Sequence, residues 1–176
     1  PHAMHCYLLR NHYKVDDKTL RWESHPQEEL LDILKQGKAD AVVLIDQVFF
    51  RAENDPDVRC LYTDGDAWSA MHGLPEIIKH MLATREELLD EHPEFGTQIL
   101  EACRKSVAYS EHHLSEIADR FIAKYGGDKE VIIASAGYPN IVFTFTDTER
   151  KEAEATMEML IDTGRLDGRL DLSQAF

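Results

Sequence analysis

The chain has no run of lysine or arginine. Its 19 basic residues are scattered among 33 acidic ones, and the formal net charge is −14. A nucleic-acid partner requires a concentrated basic footprint, so none is expected. No apolar stretch approaches the ~20 residues of a membrane-spanning helix, so membrane insertion is not expected either. No signal-peptide pattern opens the sequence. Cysteine is scarce: Cys6, Cys60 and Cys103 are far apart and odd in number, which excludes a disulfide framework. Cys60 alternates with Leu61 and Val58, and Cys103 falls on the stripe Ile99, Leu100, Cys103, Val107. Both therefore read as small buried apolar side chains. Nine glycines and six prolines are too few for a disordered chain. There is no phosphate-cradling loop, because Tyr125-Gly126-Gly127-Asp128-Lys129 lacks the spacing and the following Ser or Thr. There is no G-x-S-x-G nucleophile elbow.

What is present suffices for one substantial core: 176 residues, 43% of them apolar and 30% charged. Pro1 to Tyr13 reads as a helix, with proline at its first turn. An α/β sheet normally begins with a strand, so a first strand is expected to precede Pro1. Thr19 to Glu23 is a short strand candidate. Ser24 then reads as an N-cap with Gln27 as its partner, Leu30, Leu31 and Leu34 form the helix stripe, and Gly37 ends it. Ala39 to Ile45 is an almost unbroken valine-rich apolar run, the pattern of a strand covered on both faces. Asp46 ends it, and Gln47 to Glu53 reads as a short helix. Val58 to Tyr62 is a further strand candidate, followed by the polar turn Thr63-Asp64-Gly65-Asp66.

The second half reads as mostly helical. Leu74, Ile77, Ile78, Met81 and Leu82 share one helical face. A second helix covers Pro93 to Ser110, and a third carries Leu114, Ile117, Ala118, Phe121 and Ile122. Thr146 and Glu149 form a capping box for a helix to about Thr163, with Gly164 as its C-cap. The layout predicts a βαβαβ front (residues 1–72) and a helical remainder (residues 73–176), packed as one domain. In a parallel sheet, ligands gather at the carboxyl ends of strands and the N-termini of helices. That rule puts Pro1 to Met4, Trp22 to His25, Asp46, Gln47 and Thr63 to Trp68 on the functional rim.

The order of these elements resembles the second lobe of type II periplasmic solute-binding proteins, in the nitrate/sulfonate/taurine-type branch. Ile33-Leu34-Lys35-Gln36-Gly37-Lys38-Ala39-Asp40-Ala41 resembles that family's helix, Gly, Asp-Ala, strand element. His92-Pro93-Glu94-Phe95 resembles the proline pause before its long helices. Phe145 to Phe176, with Thr146, Glu149, Leu160, Gly164 and the closing Leu170-Asp171-Leu172-Ser173-Gln174-Ala175-Phe176, resembles its C-terminal end. The resemblance implies a three-layer α/β lobe with a mostly parallel sheet and a helical C-terminal part. It also implies a first lobe, supplied by sequence before Pro1 or by a second chain. The branch includes transport receptors as well as decarboxylase, desulfinase and pyrimidine-precursor-synthase relatives.

The leading expectation is therefore a small organic or anionic ligand held in an interlobe cleft. The resemblance sets His2 where a helix N-terminus faces that cleft, and it sets the strand end at Asp46 and Gln47 on the same cleft. Trp22 in an alternating strand reads as core, or at a rim as a stacking surface for a planar ligand. His25 flanks the same strand end. Asp64, Asp66 and Trp68 read as a solvated turn or as ligand contacts. His2, His5 and Cys6 are the only close group of metal-type ligands, but they lack the spacing of a zinc motif, so no metal and no cofactor is expected. An enzyme on the same scaffold is the alternative, with His2, His5, Cys6 or His25 as its candidate chemistry. A structural or assembly role is the third reading.

Overall fold

A computed structural model describes residues 2–75, 77–137 and 139–171. Pro1, Glu76, Tyr138 and the closing residues 172–176, on which parts of the readings above fall, lie outside the described residues. The regular elements among those described are all helical. They are α1 (His2–Asn11), a 3₁₀ turn (Asp17–Thr19), α2 (Gln27–Lys35), α3 (Asp46–Glu53), α4 (Asp64–His72), α5 (Glu86–Glu91), α6 (Phe95–Tyr125), α7 (Lys129–Gly137) and α8 (Asp147–Asp162).

The α/β expectation is thus corrected. Among the described residues no sheet forms, and the parallel-sheet lobe implied by the resemblance is not the fold of this chain. The transport-receptor role that depended on that fold is withdrawn with it. The three strand candidates show why. Thr19 ends the 3₁₀ turn, and the chain beyond it runs on without a partner strand. Val58 to Tyr62 is irregular, and Cys60 within it is exposed rather than buried. Ala39 to Ile45 is irregular as well, and its backbone is met by one side chain in place of a ladder. Gln27 Nε2 donates to the Val43 carbonyl at 3.2 Å, and the Ile45 amide donates to Gln27 Oε1 at 3.1 Å. The carboxamide uses one N–H and its carbonyl oxygen here, the donor and acceptor that a neighbouring strand residue would present. Gln27→Leu is expected to speed hydrogen exchange at the Ile45 amide. It should also destabilise this part of the chain by about 1–2 kcal/mol, the worth of two modest hydrogen bonds. Unchanged exchange at Ile45 would show that the clamp does not hold the segment.

The chain divides into two compact units. Unit 1 is Pro1–Ser24, Cys60–Met81 and Thr144–Phe176, and unit 2 is His25–Arg59 and Leu82–Phe143.

Unit 1 packs α1 against α4 and α8. Leu8, Ala67, Trp68, Ala155 and Met159 form its core, with Met4, Tyr7, Tyr62, Met71, Leu74, Ile77 and Leu160 packed around it. Each helix has a local reason for its ends. The Thr63 hydroxyl caps α4 by accepting from the Asp66 amide at 3.1 Å, and Gly73 closes it in a left-handed conformation (φ 65) that costs glycine little. The Thr146–Glu149 capping box starts α8, with the Thr146 amide donating to Glu149 Oε2 at 2.6 Å. Arg10 on α1 grips Asp17 through two bonds, at 2.8 and 3.2 Å, and reaches Asp162 at the end of α8 at 3.1 Å. The predicted helix over Leu74–Leu82 does not form. Its apolar positions do not share one surface: Leu74 and Ile77 lie on the unit 1 core, Met81 and Leu82 are exposed, and Leu82 begins unit 2.

In unit 2, α7 lies against both α3 and α6, α2 packs on α3, and α5 on α6. Val48, Ala118 and Ile132 are its buried apolar residues among those described. Lys35 bonds Asp55 at 2.8 Å, and Lys129 bonds Asp119 at 2.6 Å. The two helices predicted over 93–122 meet inside α6 at His113, whose backbone (φ −127, ψ 21) is not helical and breaks the run into two helical stretches at a kink. His112 and His113 each donate Nδ1–H to the carbonyl four residues back, at 2.8 and 2.7 Å, which competes with the helical ladder. Gly127 has φ 117, and a Cβ there would stand 3.3 Å from Ile132 Cδ1, so both backbone and space call for glycine.

Candidate functional site

Unit 1 gathers polar ring side chains from two stretches of sequence, one in and after α1 and one in and beside α4. At one end of α4, His5 Nδ1 pairs with the Tyr62 hydroxyl at 2.8 Å, and Tyr62 in turn lies 4.8 Å from the Tyr13 ring. At the other end, the Tyr7 hydroxyl meets His72 Nε2 at 3.4 Å, with the two rings stacked 8° from parallel. The Trp68 ring is 4.1 Å from His72. Thus α1 contributes a histidine to one pair and a tyrosine to the other, and the residues in and beside α4 supply the reverse.

Burial tunes these groups. His5 is held below the usual imidazole range, chiefly by loss of water. Asp64 opposes that shift, while Lys79 and His2 add to it. His72 is lowered for the same leading reason, against a smaller pull from Glu158. Tyr62 is pushed up to about 12 by burial, with the neighbouring Tyr13, Asp64 and Cys6 adding to it, so its hydroxyl keeps its proton at neutral pH. Tyr7 is raised by burial, then by Asp162 and Glu158. Burial, reinforced by Asp17, raises the Cys6 thiol, which therefore does not favour a thiolate nucleophile.

A second group lies at the start of α1. His2 Nε2 stands 3.4 Å from Cys6 Sγ, and its Nδ1 is 3.4 Å from an Arg165 guanidinium nitrogen. The His2 ring meets Trp22 edge-on, with centroids 4.6 Å apart. The Trp22 indole N–H donates to the Asp17 carbonyl at 3.3 Å, which fixes the ring while leaving it 38% exposed.

The residues selected from sequence are divided between the units. His2, Trp22, Asp64 and Trp68 fall in unit 1, whereas His25, Asp46 and Gln47 fall in unit 2. His2 and Trp22 meet. Asp64 sits in the first turn of α4 and bonds Lys79 at 2.9 Å. Trp68 is fully buried in the core, where its indole N–H has no partner among the described residues. His25 and Asp46 are exposed. Asp46 opens α3 with a left-handed backbone (φ 50), which Asp tolerates better than most residues. Gln47 faces Gly127. A shallow groove between α3 and α7, near Phe50, Asn54, Glu130 and Ala134, contains none of the selected residues.

Sequence reasoning did not select Tyr7, Tyr62, His72 or Arg165. One signal was available: Trp68 and His72 are four apart on one helix and so share a face. Arg165 carried none, being 163 residues from its partner His2. Among the described residues no group of three or more His, Cys, Asp or Glu side chains could hold a metal ion, and no helix is long and apolar enough to cross a membrane. No protein-family model, no curated protein and no solved structure matches this chain.

Proposed function

We propose that the chain binds a small organic molecule, and that unit 1 is the part that does so. The observation that carries this reading is Trp22. It is a large aromatic side chain oriented by its own hydrogen bond, left partly open to solvent, and flanked by an imidazole. Such a ring offers flat apolar area beside polar groups that can fix a ligand's orientation. The reading keeps the small-ligand function expected from sequence without the cleft between lobes.

The test is a ligand-observed NMR screen of small organic compounds against the full chain, followed by the two indole N–H resonances. Compounds that bind are expected to shift the Trp22 resonance and leave that of the buried Trp68 in place. A library in which no compound moves Trp22 would overturn the reading.

A second reading, proton-transfer catalysis on a small organic substrate, is favoured by one contact. His5 and Tyr62 form a bonded pair of titratable groups within reach of the field of Asp64. An enzyme of this kind should lose turnover in His5→Gln. In Tyr62→Phe the alkaline limb of its pH profile should change. Equal turnover in both variants would exclude the pair.

A further inference from the structure

We infer that the ligand of unit 1 is a planar organic carboxylate, held at the corner formed by His2, Trp22 and Arg165. This rests on the ligand-binding reading above and adds the chemical class and the residue that selects it. Acidic residues outnumber basic ones in this chain, 33 to 19, so a guanidinium would ordinarily find a carboxylate. Arg165 makes no ion pair among the described residues, and the side chain it meets is a nitrogen acceptor, His2 Nδ1 at 3.4 Å. Its backbone is well fixed. Gly164 (φ 67) turns the chain out of α8, and the Arg165 amide donates to the Leu160 carbonyl at 2.7 Å.

An arginine fork carries five N–H donors, and one contact to an imidazole leaves most of them for a ligand. Two parallel N–H···O bonds to a carboxylate are the strongest use of that geometry. His2 supports that geometry. Its Nε2 is turned to the Cys6 sulfur and its Nδ1 accepts from the guanidinium, so the imidazole holds Arg165 beside Trp22 while leaving the other guanidinium N–H groups open. Trp22 supplies the remaining half of the specificity, because its exposed indole favours a flat ring over an alkyl chain. The overall charge of −14 repels anions at long range, so affinity here depends on direct contact with Arg165.

The experiment titrates the full chain with benzoate, phenylacetate and naphthoate at millimolar concentrations, following the Trp22 indole resonance. Benzamide, a neutral planar counterpart, and acetate, an anion without a ring, are run beside them. At least one aromatic carboxylate is expected to bind at least ten times more tightly than benzamide and acetate. Arg165→Gln should remove that tenfold preference, and Arg165→Lys, which keeps the charge but not the fork, should restore part of it. Unchanged circular dichroism and an unshifted Trp68 resonance establish that the variants fold. Three results overturn the inference: no carboxylate moves Trp22, benzamide binds as well, or Arg165→Gln binds like the parent. If other compounds still move Trp22, the ligand-binding reading survives this failure. If none does, both fall.

Discussion

Trp68→Ala is expected to destabilise unit 1 by about 3–5 kcal/mol, the cost of deleting a large core aromatic. Trp68 is fully buried among Leu8, Ala67, Ala155 and Met159, where α1, α4 and α8 converge, so no one helix can move inward to fill the space. A loss of this size is a large share of the stability of an ordinary domain. Trp68→Phe should cost less. It keeps an aromatic ring in the core, and it deletes an indole N–H that has no partner among the described residues, a group whose burial carries its own penalty of about 1–3 kcal/mol. Urea denaturation followed by the emission of Trp22 makes the measurement, since Trp22 also belongs to unit 1. If Trp68→Ala unfolds at the parent's urea midpoint, the three-helix core described above is wrong.

Mild acid should be the second strong perturbation. The imidazoles of His5 and His72 both titrate below their ordinary value of 6.5 in the folded chain. The unfolded chain therefore takes up protons first as pH falls. Their contribution is complete above about pH 6.5 and is lost from there down to each lowered folded value, at up to about 1.4 kcal/mol per pH unit for each group. His72 is only part-buried, so its share is the smaller. Around His5 the relevant charges are Asp64, Lys79 and His2, and around His72 there is Glu158. The carboxylates of Asp17, Asp55 and Glu149, held down mainly by Arg10, Lys35 and Thr146 respectively, belong to a later stage. Their stabilisation is present above the ordinary carboxylate range and disappears only below it. Urea midpoints at pH 7.5 and 5.5 should fall for the parent chain. They should fall much less for His5→Gln/His72→Gln. A double variant with the parent's pH dependence would remove these histidines from the account.

Short-range signals were readable in the sequence. The Thr146–Glu149 box, the end of α8 at Thr163-Gly164, the stripe of α2 ending before Gly37 and the short α3 are each fixed by neighbours a few residues apart, and the structure contains them. That the three strand candidates stay irregular was not readable, because a strand is defined by its partner. Ala39 to Ile45 has the composition of a buried strand, yet what meets its backbone is the Gln27 carboxamide, 16 to 18 residues earlier. Helical periodicity in Leu74–Leu82 was real as a pattern, but its apolar residues serve separate places. The candidate site divides the same way. His2 and Trp22 could be selected as rim residues, while Trp68 in the same set is core. Arg165, which gives the corner its charge, depends on a chain reversal that no local pattern records.

The order of segments along the chain also dictates when each unit can close. Unit 2 has all its residues once Phe143 has been added, whereas unit 1 must wait for α8, residues 147–162. Arg10 and Asp162, which tie the two ends of unit 1 together, are 152 residues apart. During synthesis from the amino end, the apolar side of α1, with Leu8 at its centre, is therefore made long before the helix that covers it. A contact so distant in sequence closes slowly, and until then it leaves an adhesive surface in the open. Once Phe143 has emerged from the ribosome, unit 2 has all of its residues free to fold while α8 is still to follow, and the uncovered side of α1 is the surface open to chaperones.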